Sequence, residues 1–225
     1  MSVADPVILD ALAERLLAAD GPASAALLAE EFGWSQAQLT ESLESLRYLG
    51  ALIDTTSTGH TLQLDDPLDA VAIRTELPDA SRLAVVVKRV CNSTNRAVQS
   101  LPVPALCVAE VQLGGCGRRG RQWTQPFGAG LMMSLSAKTP KGRLDALAIA
   151  LSIAALECLE EMGLDGLQMK WPNDLMLDDA KLGGLMVEAE GGAQGRLCIG
   201  LGINVTVAPR LPDRPAAMLS ELGET

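Results

Sequence analysis

A chain of 225 residues with 48% hydrophobic and 20% charged content can bury one good core plus a small second unit. Its single histidine, His60, and five widely spaced cysteines without a Cys-x-x-Cys pair exclude His-rich metal centres, zinc sites and a disulfide framework, and exclude Ser-His-Asp or Cys-His catalysis unless His60 folds across to the main unit. No apolar run reaches the roughly eighteen residues of a membrane span, and the opening Met-Ser-Val-Ala-Asp-Pro lacks the basic and apolar regions of a signal peptide, so the expectation is a protein of the reducing cytoplasm with no membrane partner.

The N-terminal third is read as three helices and a hairpin. Residues 7–19 are apolar at helical spacing (Ile8, Leu9, Leu12, Leu16, Leu17), and Asp20-Gly21-Pro22 ends that helix. Ser24 is placed to cap a second helix over 25–32, Gly33-Trp34 turns the chain, and Ser35 caps a third with Leu39, Leu43 and Leu46 on one face. Residues 51–54 and 60–64, joined by the polar turn 55–59, predict a two-stranded ribbon. Three helices followed by a ribbon make a winged helix-turn-helix over 1–65. Ten acids against Arg15 and Arg47 give this unit −8 of the formal −10. Its recognition helix carries Glu41 and Glu44 and no basic residue before Leu46, so phosphate repulsion opposes DNA binding and favours a docking or vestigial module. Gln36 and Gln38 could still read base edges.

Residues 66–82, with Asp66-Pro67 and Pro78-Asp79, read as a linker, and 83–225 as the main unit. Strands are expected at 83–90, 106–111, 130–136, 167–170, 175–177, 185–189 and 197–205, with a long apolar helix over 144–162. The fold class is α+β, with a mixed, largely antiparallel sheet.

Between the second and third of those strands lies Glu110-Val-Gln-Leu-Gly-Gly-Cys-Gly-Arg-Arg-Gly-Arg-Gln-Trp123. Gly114, Gly115, Gly117 and Gly120 let the backbone turn sharply and bring amide donors to a ligand, while Arg118, Arg119 and Arg121 add planar positive charge. Such a loop suits a phosphate chain; a solvated basic loop would explain the arginines but not four glycines. The spacing Gly115-x-Gly117-x-x-Gly120 also matches the dinucleotide fingerprint, which demands a helix after the last glycine. Pro126 and Gly128 oppose that helix and predict a long mobile loop instead. No Walker ending is present.

The second motif is Lys170-Trp-Pro-Asn-Asp174, followed by Lys181-Leu-Gly-Gly184 and, further on, Glu188. Pro172 stops the strand so that Asn173 and Asp174 project from a turn, an amide and a carboxylate suited to hydrated Mg²⁺ held against phosphate oxygens. Standing alone, the segment is equally an Asx turn in solvent.

It does not stand alone. With Asn92-Ser-Thr-Asn95 and Gly200-Leu-Gly-Ile-Asn204, these motifs make the chain resemble the biotin protein ligases, specifically the bifunctional bacterial type that joins a winged helix to a class II synthetase-like ligase domain. The resemblance implies two steps: biotin and Mg-ATP form biotinyl-5′-adenylate and pyrophosphate, and the acyl group passes to a lysine of a biotin carboxyl carrier domain. ATP, biotin and Mg²⁺ would be its small molecules and the carrier domain its partner, with pairing through the central sheet as a homodimer. A lipoate-type ligase and a non-catalytic biotin-sensing regulator are the alternatives.

The resemblance assigns Ser93, Thr94, Asn95, Gln112, Cys116, Gly117 and Gly184 to the biotin pocket, with Arg118 and Lys181 there as well, Lys181 beside the biotin carboxylate. Arg118, Arg119, Arg121, Lys170, Asn173 and Asn204 would serve the nucleotide, Trp123 would stack on adenine or simply anchor the loop, and Asp174 would hold Mg²⁺. Arg118, Lys170 and Lys181 would carry the catalytic charge. Two departures stand out. Cys116 replaces an arginine of the family pattern, and the chain ends soon after Asn204 where the family continues into an SH3-like C-terminal domain, implying a fragment or a ligase without that domain.

Overall fold

The computed structural model of this chain describes residues 5–78, 82–139, 144–190, 195–211 and 214–222. Helices α1 (Pro6–Leu17), α2 (Ala25–Phe32) and α3 (Gln36–Tyr48) precede a hairpin of β1 (Leu52–Thr55) and β2 (His60–Gln63). Local chemistry sets these boundaries. Asp5 accepts a hydrogen bond from Val7 N at 2.8 Å with Pro6 in the first turn, and Ser35 and Gln38 form a reciprocal capping box. Ser24 stands at the start of α2 as expected, but its side chain makes no capping bond there.

The span 66–82, expected as a linker, instead contains helix α4 (Ala70–Glu76), capped by Asp69 through Ala72 N at 2.6 Å. Beyond it come β3 (Ala84–Cys91), α5 (Thr94–Gln99), β4 (Ala105–Gln112), β5 (Gly130–Lys138), α6 (Leu144–Glu161), β6 (Leu167–Lys170), β7 (Asp174–Leu177), β8 (Ala180–Glu190) and β9 (Arg196–Asn204). Seven strands form one sheet in the order β3-β4-β5-β9-β8-β7-β6. Only β3 and β4 run parallel; the other five pairings are antiparallel. That is the mixed, largely antiparallel sheet expected. No helix among the described residues is long and apolar enough to cross a membrane.

Helices cover both faces. On one, α4 packs Ile73 and Leu77 over Val85, Leu106 and Val108, and α6 packs Leu156 and Leu159 over Leu175 and Ile203. On the other, α5 packs Val98 over Cys107 and Cys198. Burial pushes the thiol of Cys91 up to about 12 and that of Cys107 up to about 11, so both behave as small hydrophobes.

The N-terminal helices share a core with the sheet: Leu9, Leu12, Leu28 and Leu46 cluster with Val90, Val111 and Phe127. A polar clamp pins this junction. Buried Asp10 of α1 accepts from Arg89 N at 2.7 Å and Val90 N at 3.1 Å, and pairs with Lys88 Nζ at 2.7 Å. Arg89 in turn reaches Glu14, Glu110 and the carbonyl of Leu68. Burial raises the Glu110 carboxyl above its ordinary value, against the opposing pull of the Leu68 amide and Arg89. Asp10→Ala strips two strand amides and a lysine of their acceptor, and is expected to lower the unfolding free energy by about 2–4 kcal/mol in urea titration. A loss below about 0.5 kcal/mol would mean that the clamp does not hold the junction.

Candidate functional site

Register explains where the cavity lies. Ser134 pairs with Gly200, Met132 with Gly202, and Gly202 with Gly184, so these residues share one face of the sheet. Three of these five strand positions are glycine, and the sheet there is a bare floor. A Cβ on Gly200 would fall well inside contact distance of Asn95 Oδ1, and one on Gly202 would lie 2.7 Å from Trp123 Cε2. The glycines exist because side chains from above rest directly on the backbone. Over this floor opens a cavity of about 850 Å³.

One end is polar and buried. Ser93, Thr94 and Asn95 are 8%, 3% and 7% exposed at the start of α5. Gln112 Oε1 accepts from Thr94 N at 2.7 Å and from Thr94 Oγ1 at 3.0 Å, which turns its Nε2 end toward Gly115. Ser134 Oγ lies 2.7 Å from Thr94 Oγ1 and 2.5 Å from Asn95 Oδ1, and Asn95 Nδ2 donates to Glu188 Oε2 at 2.7 Å. Hydroxyls and amides held this firmly offer a fixed donor and acceptor pattern to a small planar polar group. Ser134 and Glu188 were not expected here; a serine inside a strand and a glutamate at a strand end carry no distinguishing signal in sequence.

The glycine-arginine loop forms the wall. It leaves β4 with Gly114 N bonded to Asn92 O, and returns with Gly117 N bonded to Arg121 O at 2.7 Å and Trp123 N to Gly115 O at 2.8 Å. Cys116 and Gln122 form an antiparallel bridge, and a single 3-10 turn, Arg118–Gly120, makes the tip. The helix that a dinucleotide fingerprint needs after Gly120 is therefore absent among the described residues, in agreement with the reading of Pro126 and Gly128. The stretch from Arg121 onward, expected as a long loop, is instead drawn into this small hairpin and then tied to the N-terminal unit by Phe127 N to Leu49 O at 2.8 Å. Arg118 reaches across to Asn173 Oδ1 at 3.0 Å, closing the loop against the turn between β6 and β7. Trp123 rests on Gly202, its ring centroid 5.7 Å from Lys181 Nζ.

The opposite end is cationic. Among the described residues, Arg118, Arg119, Arg121, Lys170, Lys181, Arg210 and Arg214 line the cavity with one carboxylate, Asp174. Asn173 is fixed by donating Nδ2 to Leu185 O at 2.6 Å. Cys116, Gly117 and Gly184 also face the cavity, so every residue expected at the site lines it except Asn204. Asn204 lies beneath the floor: it is 1% exposed, accepts from Gln125 Nε2, and donates to Lys181 O at 3.2 Å and Ala217 O at 2.8 Å. These bonds knit β9 to the C-terminal segment.

Asp174, expected to hold Mg²⁺, sits between two cations. Its Oδ1 accepts from Lys181 Nζ at 2.7 Å and its Oδ2 from Arg214 at 2.5 Å, so each carboxylate oxygen is held by a protein cation. Among the described residues no group of three or more His, Cys, Asp or Glu side chains gathers to hold a metal. This arrangement is the centre of an ion-pair cluster, and a magnesium ion arriving with a nucleotide would have to displace one of the two cations from Asp174. Arg210 and Arg214 were missed because isolated arginines in a proline-rich stretch form no motif.

Cys116 is exposed at the cavity wall and Cys158 is exposed on α6, whereas Cys91, Cys107 and Cys198 are buried. Native-state maleimide labelling read by mass spectrometry is expected to modify Cys116 and Cys158, with a ligand that fills the cavity slowing Cys116 alone. Equal protection of Cys158 would show a global effect instead of occupancy.

Residues 86–204 match the model of the family described as Biotin/lipoate A/B protein ligase. The chain is 35% identical over 188 residues to the Bifunctional ligase/repressor BirA of Escherichia coli strain K12, a match covering 80% of this chain and 58% of the relative. It is 31% identical over 182 residues to a Biotin–[acetyl-CoA-carboxylase] ligase of Mycobacterium tuberculosis, covering 72% of this chain and 65% of the relative. The chain thus spans less than two thirds of either. Among solved structures it is similar to the biotin protein ligase of Aquifex aeolicus in complex with biotin and ATP, with 29% identity, a TM-score of 0.54, and coverage of 62% of this chain and 60% of that one. The biotin protein ligase of Leishmania major in complex with biotinyl-5-AMP gives 26% identity, a TM-score of 0.53 and 65% coverage of each chain.

Proposed function

The chain belongs to the Biotin/lipoate A/B protein ligase family, and from that premise we propose that it is an ATP-dependent biotin protein ligase. An oxygen of the biotin carboxylate attacks the α-phosphorus of ATP, the bond to the β-phosphate breaks, and pyrophosphate leaves. The neutral amine of a lysine on a biotin carboxyl carrier domain then attacks the acyl carbon; an amide forms and AMP departs. The observation that carries this reading is the cavity's polarity: a buried neutral hydrogen-bonding end joined to a cationic end by a glycine floor.

That polarity matches the chemistry. The Ser93–Asn95 corner and Gln112 take the ureido head, and the aliphatic arm runs along the glycine floor to Lys181. The first step brings two anions together, a carboxylate and a triphosphate, so fixed positive charge lowers the barrier most. Arg118, Arg119, Arg121 and Lys170 supply it to the phosphates and Lys181 to the carboxylate, with Trp123 as the aromatic surface for adenine. No step is assigned to a metal at Asp174.

Residues 1–65 are read as a winged helix and 83 onward as the ligase unit. Glu41 and Glu44 are exposed on α3, and Arg47 is spent on Glu44 at 2.7 Å and Thr55 at 2.6 Å. This favours a docking role over operator binding.

The test is pyrophosphate release from biotin and Mg-ATP, with lipoate in a parallel arm. Biotin-dependent release supports the reading; release only with lipoate, or none above the enzyme-free rate, rejects it.

A further inference from the structure

The C-terminal segment after β9 returns to the site along Lys181. Lys181 N donates to Pro215 O at 3.0 Å, Ala217 N donates to Lys181 O at 2.9 Å, and Lys181 and Ala216 form a parallel bridge. Asn204 ties the same segment from below through Ala217 O. The strapping delivers Arg214 to Asp174 Oδ2 at 2.5 Å, opposite Lys181 Nζ on Oδ1. All three side chains are well shielded, at 19%, 17% and 18% exposure for Arg214, Asp174 and Lys181.

We propose that Arg214 is a positioning residue that keeps Lys181 available to the biotin carboxylate. One carboxylate facing one lysine would make a neutral pair, with the ammonium drawn fully onto Asp174 and little field left for an incoming anion. Arg214 takes part of the Asp174 charge at Oδ2, so Lys181 is drawn less fully onto Oδ1, and the hold of Arg214 fixes the carboxylate plane. Arg214 thus acts through Asp174 on Lys181 without touching biotin. The inference rests on the biotin ligase reading, since it concerns which charge the substrate carboxylate meets.

Calorimetric titration with biotin and, separately, with the neutral amide of biotin distinguishes the possibilities. Arg214→Ala is expected to weaken biotin by about tenfold, the scale of one partly screened charge a few ångströms from another, and to leave the amide within about twofold. Arg214→Lys, which keeps the charge, should recover most of the loss. Adding Asp174→Asn to Arg214→Ala removes the carboxylate that would otherwise hold Lys181 by itself, and should strengthen biotin binding again. Equal weakening of biotin and its amide would reduce Arg214 to a structural role. A double variant no better than Arg214→Ala would place Arg214 in direct contact with the ligand. Either result overturns the proposal. A wild-type protein that binds neither compound rejects the biotin reading itself, a different outcome from wild-type binding without this pattern.

Discussion

Lys181→Ala is expected to slow biotin- and ATP-dependent pyrophosphate release by about 10²–10³-fold, the cost of removing one pre-positioned charge from a site where charge converges. Lys181 is suited to that role by rigidity as well as by sign. Its amide and carbonyl are pinned by Pro215 and Ala217, its ammonium lies 2.7 Å from Asp174, and the Trp123 ring stands 5.7 Å away. Alanine would remove one of the two cations on Asp174, so the site loses a positive charge together with the donor. Lys181→Arg would keep the charge and misplace it. Steady-state pyrophosphate assays at saturating ATP measure the effect, and a rate within about threefold of wild type would show that another cation meets the carboxylate.

Gly200→Ala should weaken biotin by about 10–100-fold, corresponding to about 1–3 kcal/mol of overpacking at a site that cannot relax. The added methyl would strike Asn95 Oδ1, and Asn95 has nowhere to go: its oxygen faces Ser134 and its nitrogen donates to Glu188. Movement would break the network that also orients Thr94 and Gln112. ATP binding, at the other end of the cavity, should persist and serves as the control for folding. Unchanged biotin affinity by calorimetry would remove Asn95 from the head subsite.

The sequence made some of this legible because the chemistry there is local. Capping residues, a proline after a strand and four glycines among three arginines each state a backbone requirement in a few letters, and the helices, most strands and the cavity-lining residues follow from them. What escaped depends on distance. Helix α4 hid in a stretch punctuated by Asp66-Pro67 and Pro78-Asp79, where seven residues are too few to establish periodicity. Strand β8 begins at Ala180, not Leu185, because Lys181, Gly183 and Gly184 pair with β7 despite a glycine doublet that reads as a turn. Asn204 and Asp174 are motif residues whose partners, Ala217 and Arg214, lie in a segment without pattern, so only the fold reveals that both are already engaged. Ser134 and Glu188 acquire meaning only from strand register.

The core shared by the N-terminal helices and the sheet bears on inheritance. Where two modules meet through a thin polar contact, recombination can exchange one without disturbing the other. Here Leu9, Leu12 and Leu46 interlock with Val90, Val111 and Phe127, and Phe127 belongs to the chain that has just formed the cavity wall. A transplanted N-terminal unit would have to arrive with matching volumes and its own counterpart of Asp10, and a residue lost on one side would have to be answered on the other. These two parts of the chain are therefore expected to drift together, as a single unit of selection.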